Sequence, residues 1–272
     1  MERDVKTRIV VLLSLLAGLL PLLSVAGAEP ARATDAGSAI HAAAYSESEA
    51  SAAWRGLASG YIRKALADQT LNRDPALNAR VDRVMAVVGS AVAAIDERYA
   101  KVEWKAILIE HFGYGAVAFP GETIIVDADF VRRMKLGDDE LALILCHEAA
   151  HVLARHASTK LSFMAEVLGK DRLPTARTAL QAFLAEDSYA VAFRPTARLQ
   201  EREADTLGAA IFFATGYDTR RALWLFDKLA LTDTNEDGER DSHETATARK
   251  QTVSTVFADL QKAEGGRVHA QR

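Results

Sequence analysis

The chain has 272 residues, 49% of them apolar and 26% charged, with a net charge of −4. That length suffices for one large domain with a substantial core or for two small ones. Slight acidity without a long Lys/Arg block argues against nucleic acid as a main partner, and a single cysteine, Cys146, excludes an internal disulfide.

The chain opens with a basic front (Arg3, Lys6, Arg8) and an uncharged, Leu-rich run from Ile9 to Leu20. Pro21 and the small-residue site Ala26-Gly27-Ala28 follow. This order reads as a signal peptide over 1–28, cut after Ala28, and implies a periplasmic or secreted protein. The alternative is an uncleaved anchor that keeps the N-terminus near a membrane, a reading weakened by Gly18, Pro21, Ser24 and Gly27. Residues 29–50 are rich in Ala, Ser and Glu and read as a flexible linker.

A first helix is expected over Trp54 to Leu71. Asp74-Pro75 is a good start for a second, whose stripe of Val81, Val84, Met85, Val88, Val92 and Ile95 has helical spacing. Three β-like runs follow at 104–110, 114–119 and 123–128, with Pro120-Gly121 as a turn. A strong helix begins at Gly137-Asp138. Residues 162–198 read as helical pieces interrupted by Gly169, Pro174 and Pro195, either a lid over a cleft or an ordinary insertion. Helices over 198–216, 218–230 and about 245–262 complete a domain assigned to 51–262, with 263–272 as a frayed tail.

Within the strong helix lies His147-Glu148-Ala149-Ala150-His151. Residues four apart lie about 40° apart around a helix, so both imidazoles share a face. Two neutral imidazoles one turn apart suit Zn²⁺, and Glu148 is placed beside the metal to handle a proton. Such groups in an apolar helix are costly without partners. His156, nine residues after His147, falls about 180° round a continuous helix and reads as a second-layer or surface group rather than a ligand. Cys146 faces about 100° away from His147 and reads as a buried filler.

Zinc needs a third protein ligand and an open position. In Glu201-Arg202-Glu203-Ala204-Asp205, Glu201 and Asp205 share a helix face while Glu203 points largely away. One carboxylate can ligate while the other orients a ligand histidine. Equally, the segment can be a solvated acidic face paired with Arg198 or Arg202.

The stretch Asp233 to Glu244, DTNEDGERDSHE, matches a calcium loop through Asp233, Asn235, Asp237, Asp241 and Glu244, with Gly238 at the turn. Arg240 stands where an EF-hand has an apolar residue, and no second such loop occurs. The same stretch carries His243, so it can also bring a histidine to an active site.

HEAAHVLARH followed by EREAD resembles the HtpX and CAAX-prenyl endopeptidase family of zinc metallopeptidases (gluzincins), in particular its exported, periplasmic BepA- and LoiP-like branch. AVAFPGE (116–122), TGYDTRRALWLFDKLA and SHETATAR (242–249) are similar to further family segments, so the resemblance covers roughly residues 100–250. It implies an α+β, mainly helical zincin-like fold with a small β-sheet beside the active-site helix. It implies one zinc on His147, His151 and Glu201, Glu148 as catalytic base, Asp205 orienting a ligand, and His243 near the reacting carbonyl. Gly115, Glu122, Thr219 and Glu244 depart from the family pattern, which touches loop shape rather than ligands.

The expected function is therefore zinc-dependent hydrolysis of peptide bonds, with protein or peptide substrates and misfolded or envelope proteins as the class the resemblance suggests. A substrate strand is expected to pair with the edge at Gly115 to Phe119. Tyr114 and Phe119 are expected in the core, with a substrate groove as the alternative. The competing readings are a metal-stabilised, chaperone-like or latent envelope protein with little turnover, and a calcium-regulated module.

Overall fold

The computed structural model describes residues 44–232 and 244–270, with side chains as far as residue 265. The calcium-loop residues Asp233, Asn235, Asp237 and Asp241, together with His243 and the leader segment 1–28, lie outside the described residues. Among the described residues no helix is long and apolar enough to cross a membrane.

The first helix, α1 (Glu47–Ala67), starts earlier than its apolar residues suggest. Ser46 and Glu49 form a reciprocal capping box, so the polar segment assigned to a linker supplies the helix start. Tyr45 is buried and donates from its hydroxyl to Leu173 O at 2.7 Å. Residues 44–50 are thus part of the folded domain, a correction to both the 29–50 linker and the domain start at 51. In α2 (Pro75–Ile95) the Asp74 side chain accepts from Leu77 N at 2.9 Å, and the expected stripe from Val81 to Val92 is buried.

Strands β1 (Lys105–Ile109), β2 (Ala116–Phe119) and β3 (Thr123–Asp127) form one sheet in the order β1-β3-β2. β3 pairs in parallel with β1 and antiparallel with β2, which leaves β2 on an edge. The turn between β2 and β3 needs left-handed backbone at both Gly121 (φ 99°) and Glu122 (φ 60°). The β3 side chains alternate between two cores: Ile124 and Val126 enter one, Ile125 the other. Burial on both faces explains why this run is apolar without alternation.

A short α3 (Ala128–Arg133) leads to α4 (Asp138–Leu153), α5 (His156–Leu168), α6 (Ala176–Ala185) and α7 (Asp187–Thr215). After α8 (Thr219–Ala222) and α9 (Trp224–Thr232), α10 runs Ala246–Ala270. That last helix continues through most of the segment expected to fray at 263–272. α7 likewise passes through Pro195, where a break is expected.

The larger core gathers α2, α4, the C-terminal half of α7 and α8 to α10 against one sheet face. The smaller packs α1, α5 and α6 against the other. Within residues 162–198, Met164, Leu173, Ala179 and Leu180 share the smaller core with α1, and none of the segment lines the clefts described below.

Candidate metal centre

Acidic residues Asp138, Asp139 and Glu140 fill the first turn of α4, where the helix dipole favours negative charge. Glu140 is buried, accepts from Gly137 N at 2.6 Å, and pairs with Lys228 at 2.6 Å. This anchored start places His147, Glu148 and His151 two to three turns on, where α4 crosses α7.

His147 Nε2 lies 3.1 Å from His151 Nε2 and 3.2 Å from Glu201 Oε2, and His151 Nε2 lies 3.5 Å from Glu201 Oε1. The edge of a tetrahedron around Zn²⁺ with ligand bonds of about 2.0–2.1 Å is about 3.3 Å. Each histidine faces a different oxygen of Glu201, and one donor from each of the three residues lies within 4.8 Å of the others; the two-nitrogen, one-oxygen set suits zinc. His147, His151 and Glu201 form the potential metal cluster found among the described residues. The fit decides between the alternatives left open for 201–205: Glu201 turns into the site rather than to solvent.

Asp205 meets the other ring nitrogen of His147. Its Oδ1 lies 2.9 Å from His147 Nδ1, and its two oxygens accept from Arg249 Nη2 and Nε at 2.8 and 2.9 Å. Arg249 Nη2 also comes within 3.4 Å of His147 Nδ1. A guanidinium cannot accept a proton, so the His147 N–H is donated to Asp205, which leaves Nε2 as the metal-facing atom.

The two histidines sit in opposite electrostatic settings. Burial opposes charge on His147, but hydrogen bonds to Asp205 and Glu201 outweigh it and raise its pKa. Burial dominates at His151, opposed mainly by Glu201, and brings its pKa down to about 4. His151 is therefore neutral at neutral pH, as a ligand must be. For Asp205, the Arg249 and His147 hydrogen bonds override burial and hold the pKa at about 2.

Glu148 points to the other side of the histidines. Its Oε2 accepts from Ala118 N on β2 at 2.7 Å. Because that N–H points outward from the sheet edge, the backbone groups of Ala116, two residues back, face the same way. Two cavities of about 380 and 370 Å³ meet at His147 and Glu148 and share Tyr114 and Ala116. One is walled mainly by Leu143, Ile144, Leu225, Phe226 and Val253. The other carries Trp54, Tyr99, Glu122, Arg155 and Lys160. Together they form a cleft along the open edge of β2.

A model of peptidase family M48 matches residues 75–256. The chain belongs to peptidase family M48. The chain is 28% identical over 131 residues to the mitochondrial metalloendopeptidase OMA1 of Schizosaccharomyces pombe, covering 47% of this chain and 38% of that protein. To OMA1 of Arabidopsis thaliana it is 25% identical over 134 residues, 47% of this chain and 26% of the other. A Vibrio cholerae protein named as a beta-barrel assembly-enhancing protease is 25% identical over 181 residues, 62% of this chain and 36% of the other. The chain thus spans well under half the length of the relatives it matches.

Several features of this M48 chain differ from expectation. Phe119 is buried as expected, but Tyr114 is 66% exposed and lines the cleft, so it is not a core residue. Cys146 is buried and free, as read. His156 is buried beside His151, which fits the second-layer reading and not the surface one. Arg155 adopts a left-handed conformation (φ 57°) that ends α4, so α5 starts afresh and turns His156 back on His151. The 180° argument assumed one continuous helix. His156 Nε2 in turn meets Glu203 Oε2 at 3.3 Å, so Glu203 also takes part. Arg249 stands at the end of the SHETATAR stretch, and that position was its sole sequence signal. Glu244 pairs with Arg202.

Proposed function

We propose that this M48 chain is a zinc-dependent endopeptidase. The observation that carries the reading is Glu148: its carboxylate is fixed by Ala118 N–H at 2.7 Å, beside a His–His–Glu cluster whose donors lie within 4.8 Å of one another, in a cleft along an open strand edge. His147, His151 and Glu201 hold the metal. When bound, zinc supplies Lewis acidity, lowering the pKa of a coordinated water and polarising a carbonyl. Glu148 accepts the proton of the attacking water and returns it to the departing amine. Asp205 and Arg249 keep His147 in its ligating tautomer. The outward backbone groups of Ala116 and its neighbours pair with an extended substrate, which selects peptides over other acyl compounds.

His243 is proposed as a donor to the developing oxyanion. That role rests on the resemblance of SHETATAR to the family's loop. Misfolded or envelope proteins are the proposed substrates, supported by the printed name of the Vibrio cholerae relative. Export and cleavage after Ala28 are proposed from the leader pattern, and N-terminal sequencing of secreted material beginning at Glu29 would support it. Calcium on 233–244 is the weaker proposal, because Glu244, its twelfth-position ligand, already pairs with Arg202.

Zinc content and casein cleavage, wild type against Glu148→Gln, test the enzyme reading. The variant is expected to keep about one zinc per chain and to lose cleavage by about 10²–10⁴-fold. Zinc without turnover in the wild type would favour the chaperone-like alternative.

A further inference from the structure

We propose that His156 and Glu203 are positioning residues that lock His151 in the tautomer a metal requires. The inference rests on the metal-site reading above and concerns a pair outside the ligand triangle.

His156 is 5% exposed, and its Nδ1 lies 2.8 Å from His151 Nδ1, with the rings edge-on at 75°. A hydrogen bond at that separation needs one protonated and one bare nitrogen. His151 faces the triangle with Nε2, so as a neutral ligand its proton sits on Nδ1. His156 Nδ1 is then the acceptor, and the His156 proton sits on Nε2. That proton points at Glu203 Oε2, 3.3 Å away. The chain of donation runs from His151 to His156 to Glu203, and each donor meets an acceptor.

The reverse arrangement has a definite cost. If His156 donated from Nδ1, His151 would carry its proton on Nε2, where the metal binds. A neutral His156 would then present a lone pair from Nε2 to a carboxylate, which has no proton to give. Glu203 therefore sets the direction of the chain. The two ligand histidines are oriented by different devices: His147 by a carboxylate directly, His151 by a carboxylate acting through a second imidazole. An acceptor is needed because the His151 Nδ1–H is enclosed, and a buried donor without a partner is disfavoured.

The test measures zinc affinity of the metal-free full chain by competition with a chromophoric chelator, alongside ¹⁵N NMR of the histidine tautomers. His156→Phe is expected to weaken zinc binding about 10–100-fold. His156→Gln should recover most of that loss, since its amide oxygen can accept from His151. Glu203→Gln, at a side chain 57% exposed, preserves size but can donate as well as accept, so it should weaken binding severalfold. The wild-type spectrum should show His151 protonated on Nδ1 and His156 on Nε2. Zinc bound equally by wild type, His156→Phe and Glu203→Gln would overturn the inference and leave the metal site standing, as would His156 protonated on Nδ1. A wild type that binds no zinc would overturn the metal site itself. If His156→Phe fails to fold, Glu203→Gln and the wild-type tautomers decide.

Discussion

Gly208 on α7 lies directly against His147 on α4: a Cβ added there would stand 2.8 Å from His147 Cα and 3.0 Å from its nitrogen. These are backbone atoms, so no rotamer change relieves the contact. The missing side chain lets α7 approach closely enough for Glu201 and Asp205 to reach the two sides of His147. Gly208→Val should therefore push the helices apart. Overpacking costs about 1–3 kcal/mol, and the better helix propensity of valine returns only about 0.3 kcal/mol. Urea unfolding should register a net loss, with zinc affinity falling in parallel. Unchanged affinity would mean that helix spacing does not set the triangle.

The Asp205–Arg249 pair should behave as one unit. Arg249 places two donors on Asp205 while His147 supplies a third. Asp205→Asn cannot satisfy all three, and Arg249→Met leaves the carboxylate enclosed without its cation. Each should lower zinc affinity about 10–100-fold. Because each disrupts the same orientation of His147, the double variant should be barely worse than either single one. Additive losses would indicate independent roles.

Much of this was readable in the chain because the signals are local. The i, i+4 spacings of His147 with His151 and Glu201 with Asp205 fix faces of helices whatever the rest does. The Asp74-Pro75 start and the β-branched runs of the sheet are equally local. What escaped depends on backbone breaks or distant partners. The left-handed Arg155 has no glycine to announce it, so His156 was placed on the wrong side of a helix that does not continue. Arg249 joins His147 and Asp205 from another helix, across 102 and 44 residues of chain, which periodicity cannot report. Residues 44–50 look like linker by composition, yet Ser46 and Glu49 are there to cap α1.

Metal should stabilise the fold with the logarithm of its free concentration. Binding to the folded state alone adds about 1.4 kcal/mol for each tenfold rise in free zinc above the dissociation constant. Melting in zinc buffers should follow that slope in both wild type and Glu148→Gln, since Glu148 is no ligand. Glu201→Gln should flatten it. A chelator should bring wild type down to the melting temperature of Glu201→Gln. Persistence of the slope in that variant would remove Glu201 from the ligand set.

Ala118→Pro tests how the base is held. The Ala118 N–H donates to Glu148 Oε2, and proline has no N–H to donate. Its ring also fills the space through which that bond passes. β2 is an edge strand whose pairing to β3 uses other backbone groups, so proline is tolerable there. The fold and the ligand triangle should survive, and zinc content should stay near one per chain. Glu148 should lose its fixed position, and general-base catalysis falls steeply once the base leaves hydrogen-bond reach. We expect kcat to drop at least about tenfold, because a displacement near 1 Å already costs about 10²-fold in well-positioned systems. A change in KM alone would mean that the strand edge serves substrate pairing and leaves Glu148 where it was. An unchanged kcat would show that the Ala118 contact does not position the base.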